Sequence, residues 1–159
     1  MRPQRVYAGI HLNNIRHNVQ WYMDHTGPDT KTMAVIKTDA YGHGAAQVAK
    51  ALEQIGVDAF AVATVEEGVE LRENGVSGLI LILGYVFDDV LPTAIDHELT
   101  MALFHEENAK VISEVAGKLG KTAHVHLKVD TGMGRIGFVP GAAGLILAGE
   151  VICALAQGH

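Results

Sequence analysis

Short apolar runs alternate with longer amphipathic segments along most of the chain. Continuous apolar runs of this kind are typical of strands buried on both faces, and they predict six strands, at residues 7–10, 32–36, 59–63, 79–83, 100–103 and 123–129. The segments between them carry apolar residues at helical spacing, which predicts five helices, at residues 12–25, 45–55, 65–74, 87–95 and 106–119.

The strand–helix alternation repeats about every two dozen residues, which indicates right-handed βαβ units and a parallel sheet. Such an α/β chain can close as an open doubly wound sheet or as a (β/α)8 barrel. No G-x-G-x-x-G follows the first predicted strand, which disfavours a dinucleotide-binding sheet. Because a barrel takes about 250 residues, a chain of 159 residues would supply roughly its first half and looks truncated.

Composition narrows the class of protein. The chain is 48% hydrophobic and 19% charged, as in an ordinary globular domain, and its net charge of −6 without a basic run argues against nucleic acid as a partner. Cys153 is the single cysteine, which fits a reducing cytoplasm. The longest apolar run, residues 79–83, is too short to cross a membrane. These features predict a cytoplasmic protein.

The second predicted strand ends at a candidate nucleophile, Lys37. A lysine at the carboxyl end of a buried strand is partly desolvated, which lowers its pKa and favours Schiff-base chemistry. Tyr41 follows in a turn where Gly42 and Gly44 permit close approach of a ligand, and its hydroxyl could bind an anion. On spacing alone, a solvated lysine at the rim of the sheet is the commoner outcome.

The last predicted strand contains a second lysine, Lys128, in an apolar setting where an unpaired charge is costly. Asp130, another carboxylate or a chemical modification could neutralise it. Arg135 follows a glycine-rich loop and could present its planar guanidinium to a carboxylate or a phenolate. A structural Lys–Asp pair beside a glycine turn explains the same residues equally well.

Two long segments carry a resemblance to a known family. They are residues 34–44, AVIKTDAYGHG, and residues 126–138, HLKVDTGMGRIGF. Shorter blocks between them agree with it as well, at residues 15–19, 63–75 and 80–84. In this order and over roughly residues 5–140, the chain resembles the alanine racemase family, with residues 1–159 corresponding to the N-terminal portion of its barrel domain. The family's C-terminal barrel half and β-domain are expected to be absent.

The resemblance implies a (β/α)8 barrel that binds pyridoxal 5′-phosphate and works as a homodimer. Lys37 corresponds to the lysine that carries the cofactor as a Schiff base and acts as a catalytic base. Tyr41 corresponds to the residue that hydrogen-bonds the phosphate, and Leu83 to an apolar residue lining the cofactor pocket.

Three further roles follow from the same resemblance. Arg135 corresponds to the arginine that contacts the cofactor's phenolic oxygen and the substrate carboxylate, and Met133 to a loop residue near the substrate. Lys128 corresponds to a lysine that is often carbamylated, which would convert a costly cation into an anion able to orient Arg135. No metal site is expected, although His124 and His126 lie on the same side of a predicted strand.

The implied reaction interconverts L-alanine and D-alanine by removing and returning the proton at Cα, and it feeds peptidoglycan synthesis. The second acid–base group is a tyrosine of the partner subunit in this family. A close relative acting on serine, a non-catalytic protein that binds pyridoxal phosphate, and an inactive racemase fragment remain the alternatives.

Overall fold

Five parallel strands form one sheet in the computed structural model of the chain, which describes residues 8–128. The strands are β1 (Met33–Val35), β2 (Ala59–Val62), β3 (Leu79–Ile82), β4 (Thr100–Leu103) and β5 (His124–Leu127). Six helical segments accompany them: α1 (Leu12–His25), α2 (Lys37–Gly42), α3 (Ala45–Glu53), α4 (Val65–Glu73), α5 (Leu91–Asp96) and α6 (Glu106–Leu119).

The strand order confirms the barrel that the family resemblance implies, over the open sheet that the strand–helix alternation alone leaves possible. Every strand pairs in parallel with the next one along the chain, in the order β1-β2-β3-β4-β5. A doubly wound sheet reverses its order at a switch point, whereas a barrel adds each new strand on the same side. The described residues therefore fold as the first part of a (β/α)8 barrel.

The core lies between the sheet and the helices that follow its strands. Phe60 and Ile80 project from β2 and β3, and they meet Leu52 of α3 and Leu71 of α4 in one buried cluster. The strand interiors are almost free of charged residues, because a strand covered on both faces cannot solvate them. Helix α1 is less embedded, since none of its residues is fully buried.

Two of the predicted elements are wrong in the described residues. Residues 8–10 are exposed and lie in no strand, because no neighbouring strand pairs with them, and Tyr7 lies outside the described part. The helix predicted at 87–95 begins only at Leu91, after a turn at residues 88–90. Pro92 explains the late start, because proline suits the first turn of a helix, where no hydrogen-bonded N–H is required.

A single arginine, Arg72 at the end of α4, joins the amino-terminal ends of two βα units. Its guanidinium donates hydrogen bonds of 2.7–3.1 Å to four backbone carbonyls, those of Val76, Gly78, His97 and Glu98. Burial lowers the pKa of Arg72, while the charges of Glu98 and Glu53 raise it. The four carbonyls directly precede β3 and β4, so Arg72 lies at the amino-terminal ends of the strands, opposite the end where Lys37 lies.

Candidate active site

The candidate residues follow the carboxyl ends of the strands, which lie together at one end of the parallel sheet, called here its carboxyl edge. Lys37 follows β1, Leu83 follows β3 and Lys128 follows β5. Hydrogen bonds of the sheet extend to these positions, since the N–H of Leu83 donates to the carbonyl of Val62 at 2.8 Å and the N–H of Lys128 to that of Leu103 at 2.9 Å. In barrels, this edge is where sites form.

The chain leaves β1 in an unusual conformation directly after Lys37. The sequence places Lys37 at the end of the strand, but β1 ends at Val35 and Lys37 begins the short segment α2. The next four residues, 38–41, all have φ between 51° and 56°, so they form a left-handed helical turn. L-residues in this conformation cost roughly 1–2 kcal/mol each relative to a right-handed turn.

Local hydrogen bonds hold this left-handed turn closed. The N–H of Ala40 donates to the carbonyl of Ile36 at 2.9 Å, and the N–H of His43 donates to that of Asp39 at 3.0 Å. The side chain of Asp39 accepts from the N–H of Ala45 at 2.7 Å and so connects the turn to the first residue of α3. Strained backbone persists where the surroundings over-determine it, and such places cluster at functional sites.

The turn presents Lys37 and Tyr41 differently. Ile36 is buried in the core, which anchors the position before Lys37, and Lys37 itself is half-buried. Tyr41 has 61% of its surface exposed at the far end of the turn. One short hydrogen-bonded segment therefore carries both the half-buried Lys37 and the exposed Tyr41.

Sequence reasoning missed one residue of this region, Glu67 of α4. Its carboxylate accepts the N–H of Thr38 at 2.6 Å through one oxygen and the N–H of Ala63 at 2.7 Å through the other. Thr64 caps α4 by accepting from the N–H of Glu67. Residues 64–67 thus read T-x-x-E, the signature of a capping box. That signature could have singled out Glu67, but not its bond to Thr38.

The strain of the left-handed turn predicts that a glycine placed in it stabilises the folded chain. Thr38 is exposed and has φ of 55°, so we expect Thr38→Gly to raise the free energy of unfolding by about 0.5–1 kcal/mol, because glycine tolerates this conformation. Thr122 is also exposed but is not among the residues with positive φ, so Thr122→Gly should lower stability. Urea unfolding measures both changes, and equal losses in the two variants would show that the turn is unstrained.

Lys128 contacts an aromatic ring in the described structure. It lies just beyond β5, so the predicted strand at 123–129 is too long, and its side chain is exposed. Its Nζ is 4.8 Å from the ring centroid of Phe104, a cation–π distance. Carbamylation of Lys128 stays a prediction, while Arg135 and Met133 lie outside the described residues.

Phe104 belongs to a cluster of aromatic side chains at the same edge. The ring of Tyr85 lies 5.3 Å from that of Phe87, 5.8 Å from that of Phe104 and 6.3 Å from that of His105, measured between centroids. The residues of this aromatic cluster follow β3 and β4. Sequence reasoning did not single it out, because aromatic residues in loops have no periodicity.

The described structure does not bring all predicted site residues into contact. Lys37 and Lys128 follow the two edge strands, which are four strand spacings apart, or about 19 Å along the sheet. Within residues 8–128, no three metal-ligating side chains cluster, and none of the helices is long and apolar enough to span a membrane.

Comparisons with known proteins agree with the fold. The family model of the alanine racemase N-terminal domain matches residues 10–152. The chain belongs to the alanine racemase family. Alanine racemase 1 of Caldanaerobacter subterraneus subsp. tengcongensis is 47% identical over 139 residues, which cover 87% of this chain and 35% of that protein. The chain thus spans about a third of the length of this curated relative.

Solved structures give the same assignment. An alanine racemase of Clostridium difficile 630 in complex with cycloserine superposes with a TM-score of 0.75 and 45% identity, covering 76% of this chain and 32% of that one. A histidine racemase from Leuconostoc mesenteroides matches with a TM-score of 0.71 and 30% identity, covering 80% of this chain and 33% of that one. Racemases acting on two different amino acids therefore share this part of the fold.

Proposed function

We propose that the chain is the N-terminal portion of the barrel domain of a pyridoxal-phosphate-dependent alanine racemase, with Lys37 holding the cofactor. The observation that carries the proposal is the position of the half-buried Lys37 at the carboxyl edge of a barrel-type sheet, directly before a hydrogen-bonded left-handed turn that ends at Tyr41. Membership of the alanine racemase family supports the same reaction class.

The described residues fit this cofactor in their chemistry. In the described part of the chain, the ion pairs involve other side chains, so the amine of Lys37 is not held by a carboxylate. Tyr41 offers an exposed hydroxyl that can donate a hydrogen bond to a phosphate. Leu83 is half-buried and provides an apolar surface for a ring. An amine, a phosphate donor and an apolar wall are what the cofactor requires.

Each of the chain's own site residues would then have a separate role in racemisation. When bound, pyridoxal phosphate supplies a conjugated ring that stabilises negative charge at the substrate Cα. Lys37 would hold the cofactor through Nζ until the substrate amine takes its place, and the freed Lys37 amine would then take or return the Cα proton on one face of the substrate. By the family resemblance, Arg135 would orient the substrate carboxylate, and Met133 would be a loop residue near the substrate. Carbamylated Lys128 would orient Arg135.

Racemisation needs a second acid–base group on the opposite face of the substrate. By the family resemblance, we assign that group to a tyrosine of a partner copy in a homodimer. Return of the proton from the other face would invert the configuration. The product, D-alanine, would feed peptidoglycan synthesis in the cytoplasm. A histidine racemase shares this part of the fold, so the fold alone does not select alanine over a larger amino acid.

Covalent trapping tests the proposal directly. The purified chain is incubated with pyridoxal 5′-phosphate, reduced with borohydride, digested and mapped by mass spectrometry. We expect the added mass on Lys37, because this lysine is half-buried at the carboxyl ends of the strands, on the same turn as the hydroxyl of Tyr41. A parallel sample unfolded in urea reports the intrinsic labelling of every lysine, including the exposed Lys31.

The outcome separates the candidate functions. Labelling concentrated on Lys37 in the folded chain supports the cofactor site, and Cα-proton exchange of L-alanine in deuterated water then tests for the racemase. Labelling of Lys37 without exchange would favour a non-catalytic cofactor-binding protein. Labelling that matches the unfolded sample would contradict the cofactor site altogether.

A further inference from the structure

We propose that Glu67 is a positioning residue that sets the direction of Lys37, by replacing the hydrogen bonds that the sheet loses where β1 leaves it. The inference rests on the proposed role of Lys37, and it adds a residue from a different βα unit to that site. Glu67 lies on α4 and reaches the turn through its carboxylate alone.

The first step concerns the backbone at the end of β1. The N–H of Ile36 donates to the carbonyl of Ala61 at 2.9 Å, as expected in a parallel ladder. The next bond of that ladder would run from the N–H of Ala63 to the carbonyl of Ile36. That carbonyl instead accepts from the N–H of Ala40, because the chain has turned left-handed. The N–H of Ala63 therefore needs another acceptor.

The second step concerns the start of the turn. The first N–H groups of any helical turn have no acceptor within the turn, and the N–H of Thr38 is one of these. A side-chain amide has one accepting oxygen, and its other end is an NH2 donor that cannot accept from an amide N–H. The carboxylate of Glu67 has two oxygens and accepts from both amides, at 2.6 Å and 2.7 Å, which are distances typical of charge-assisted bonds.

The third step connects Glu67 to the amine. Lys37 lies between Ile36, whose N–H is bound to β2, and Thr38, whose N–H is bound to Glu67. The backbone of Lys37 is therefore held on both sides, and only its side-chain torsions can move Nζ. Small misplacements of a reacting group can lower a rate by about a hundredfold. Glu67 acts on the reaction by restricting this motion, without touching substrate or cofactor.

Glu67→Gln is the variant that tests the proposal, and Glu66→Gln is the matched control. Glutamine keeps one accepting oxygen, but its NH2 group would face an N–H donor. Glu66 is exposed on the same helix, and its pKa is lowered by its own backbone N–H and by Thr64, so it carries the same charge without contacting the turn. We expect borohydride trapping at Lys37 to slow roughly tenfold to a hundredfold in Glu67→Gln and to be unchanged in Glu66→Gln.

The labelling of Lys31 within each sample separates positioning from general destabilisation. An effect of positioning lowers labelling at Lys37 relative to Lys31 while the circular dichroism melting curve still shows a folded chain. Equal trapping at Lys37 in Glu67→Gln and in the unmodified chain would overturn the inference. Absence of selective trapping in both the unmodified chain and Glu66→Gln would instead overturn the proposed function.

A measurement on the unmodified, cofactor-free chain keeps the inference testable if Glu67→Gln does not fold. In NMR spectra of the chain labelled with 15N and 13C, the amides of Thr38 and Ala63 should both show scalar couplings through their hydrogen bonds to the carboxyl carbon of Glu67. The amide of Ala45 donates to Asp39 and should couple to the carboxyl carbon of Asp39 instead. Absence of the coupling from Thr38 or from Ala63, in a spectrum that shows the coupling of Ala45, would overturn the proposal without reference to any activity.

Discussion

Replacing Lys37 by alanine is expected to abolish covalent fixation of pyridoxal phosphate and to lower Cα-proton exchange of alanine by at least about a hundredfold. One side chain is assigned both the attachment of the cofactor and proton transfer on one face, and loss of a positioned acid–base group alone costs about 10²–10⁴ in rate. The readouts are the visible absorbance of the loaded chain and the exchange of the alanine Cα proton in deuterated water.

Lys31→Ala is the matched control for this variant. Lys31 is an exposed lysine six residues before Lys37, at the amino-terminal side of β1, so its loss removes the same charge far from the carboxyl edge. We expect its absorbance and exchange rate to equal those of the unmodified chain. A Lys37→Ala chain that still carries a reducible cofactor would mean that another amine holds it.

Replacing Phe60 by alanine is expected to lower the free energy of unfolding by about 3–5 kcal/mol. Phe60 lies in the middle of β2 with none of its surface exposed. Its ring packs against the backbone at Gly78, where an added Cβ would lie 3.2 Å from Cε2. The cavity left by the ring would be bounded in part by the backbone at Gly78, which cannot easily relax into it, so a loss in this range is expected.

Phe87→Ala provides the comparison, because Phe87 has 68% of its surface exposed and contacts the ring of Tyr85. We expect a loss below about 1 kcal/mol in urea unfolding. A Phe60→Ala chain no less stable than Phe87→Ala would mean that the sheet and helices do not form the common core described above.

The local pattern of the chain was sufficient for most elements. The predicted bounds of α1, α6 and β4 agree with the structure, because the pattern of apolar and polar residues in these segments can be read from the sequence. The helix predicted at 45–55 ends at Glu53, two residues early, as helix ends commonly do. Lys37 and Tyr41 could be singled out in the same way, since their chemistry and the neighbouring glycines are readable in sequence.

The alternation of strands and helices could predict a parallel α/β chain but not its closure. An open sheet and a barrel use the same βαβ unit, so the alternation alone cannot distinguish them. The family resemblance implied the barrel, and the observed order of neighbouring strands confirms it. The aromatic cluster around Tyr85 and Phe104 was missed for a related reason. Tyr85 and Phe104 come from the loops after β3 and β4, and the pairing of these two strands brings their ring centroids to 5.8 Å.

The sequence by itself therefore determined the class of fold, most elements and the position of the candidate lysine, because periodicity and side-chain chemistry are local properties. Only the tertiary structure decided that residues 38–41 turn left-handed and that Glu67 holds the turn from 29 residues away. Single L-residues disfavour this backbone, and no local pattern encodes it. It is stable here because the core fixes Ile36 and a neighbouring βα unit supplies the hydrogen-bond acceptor that the strand has lost.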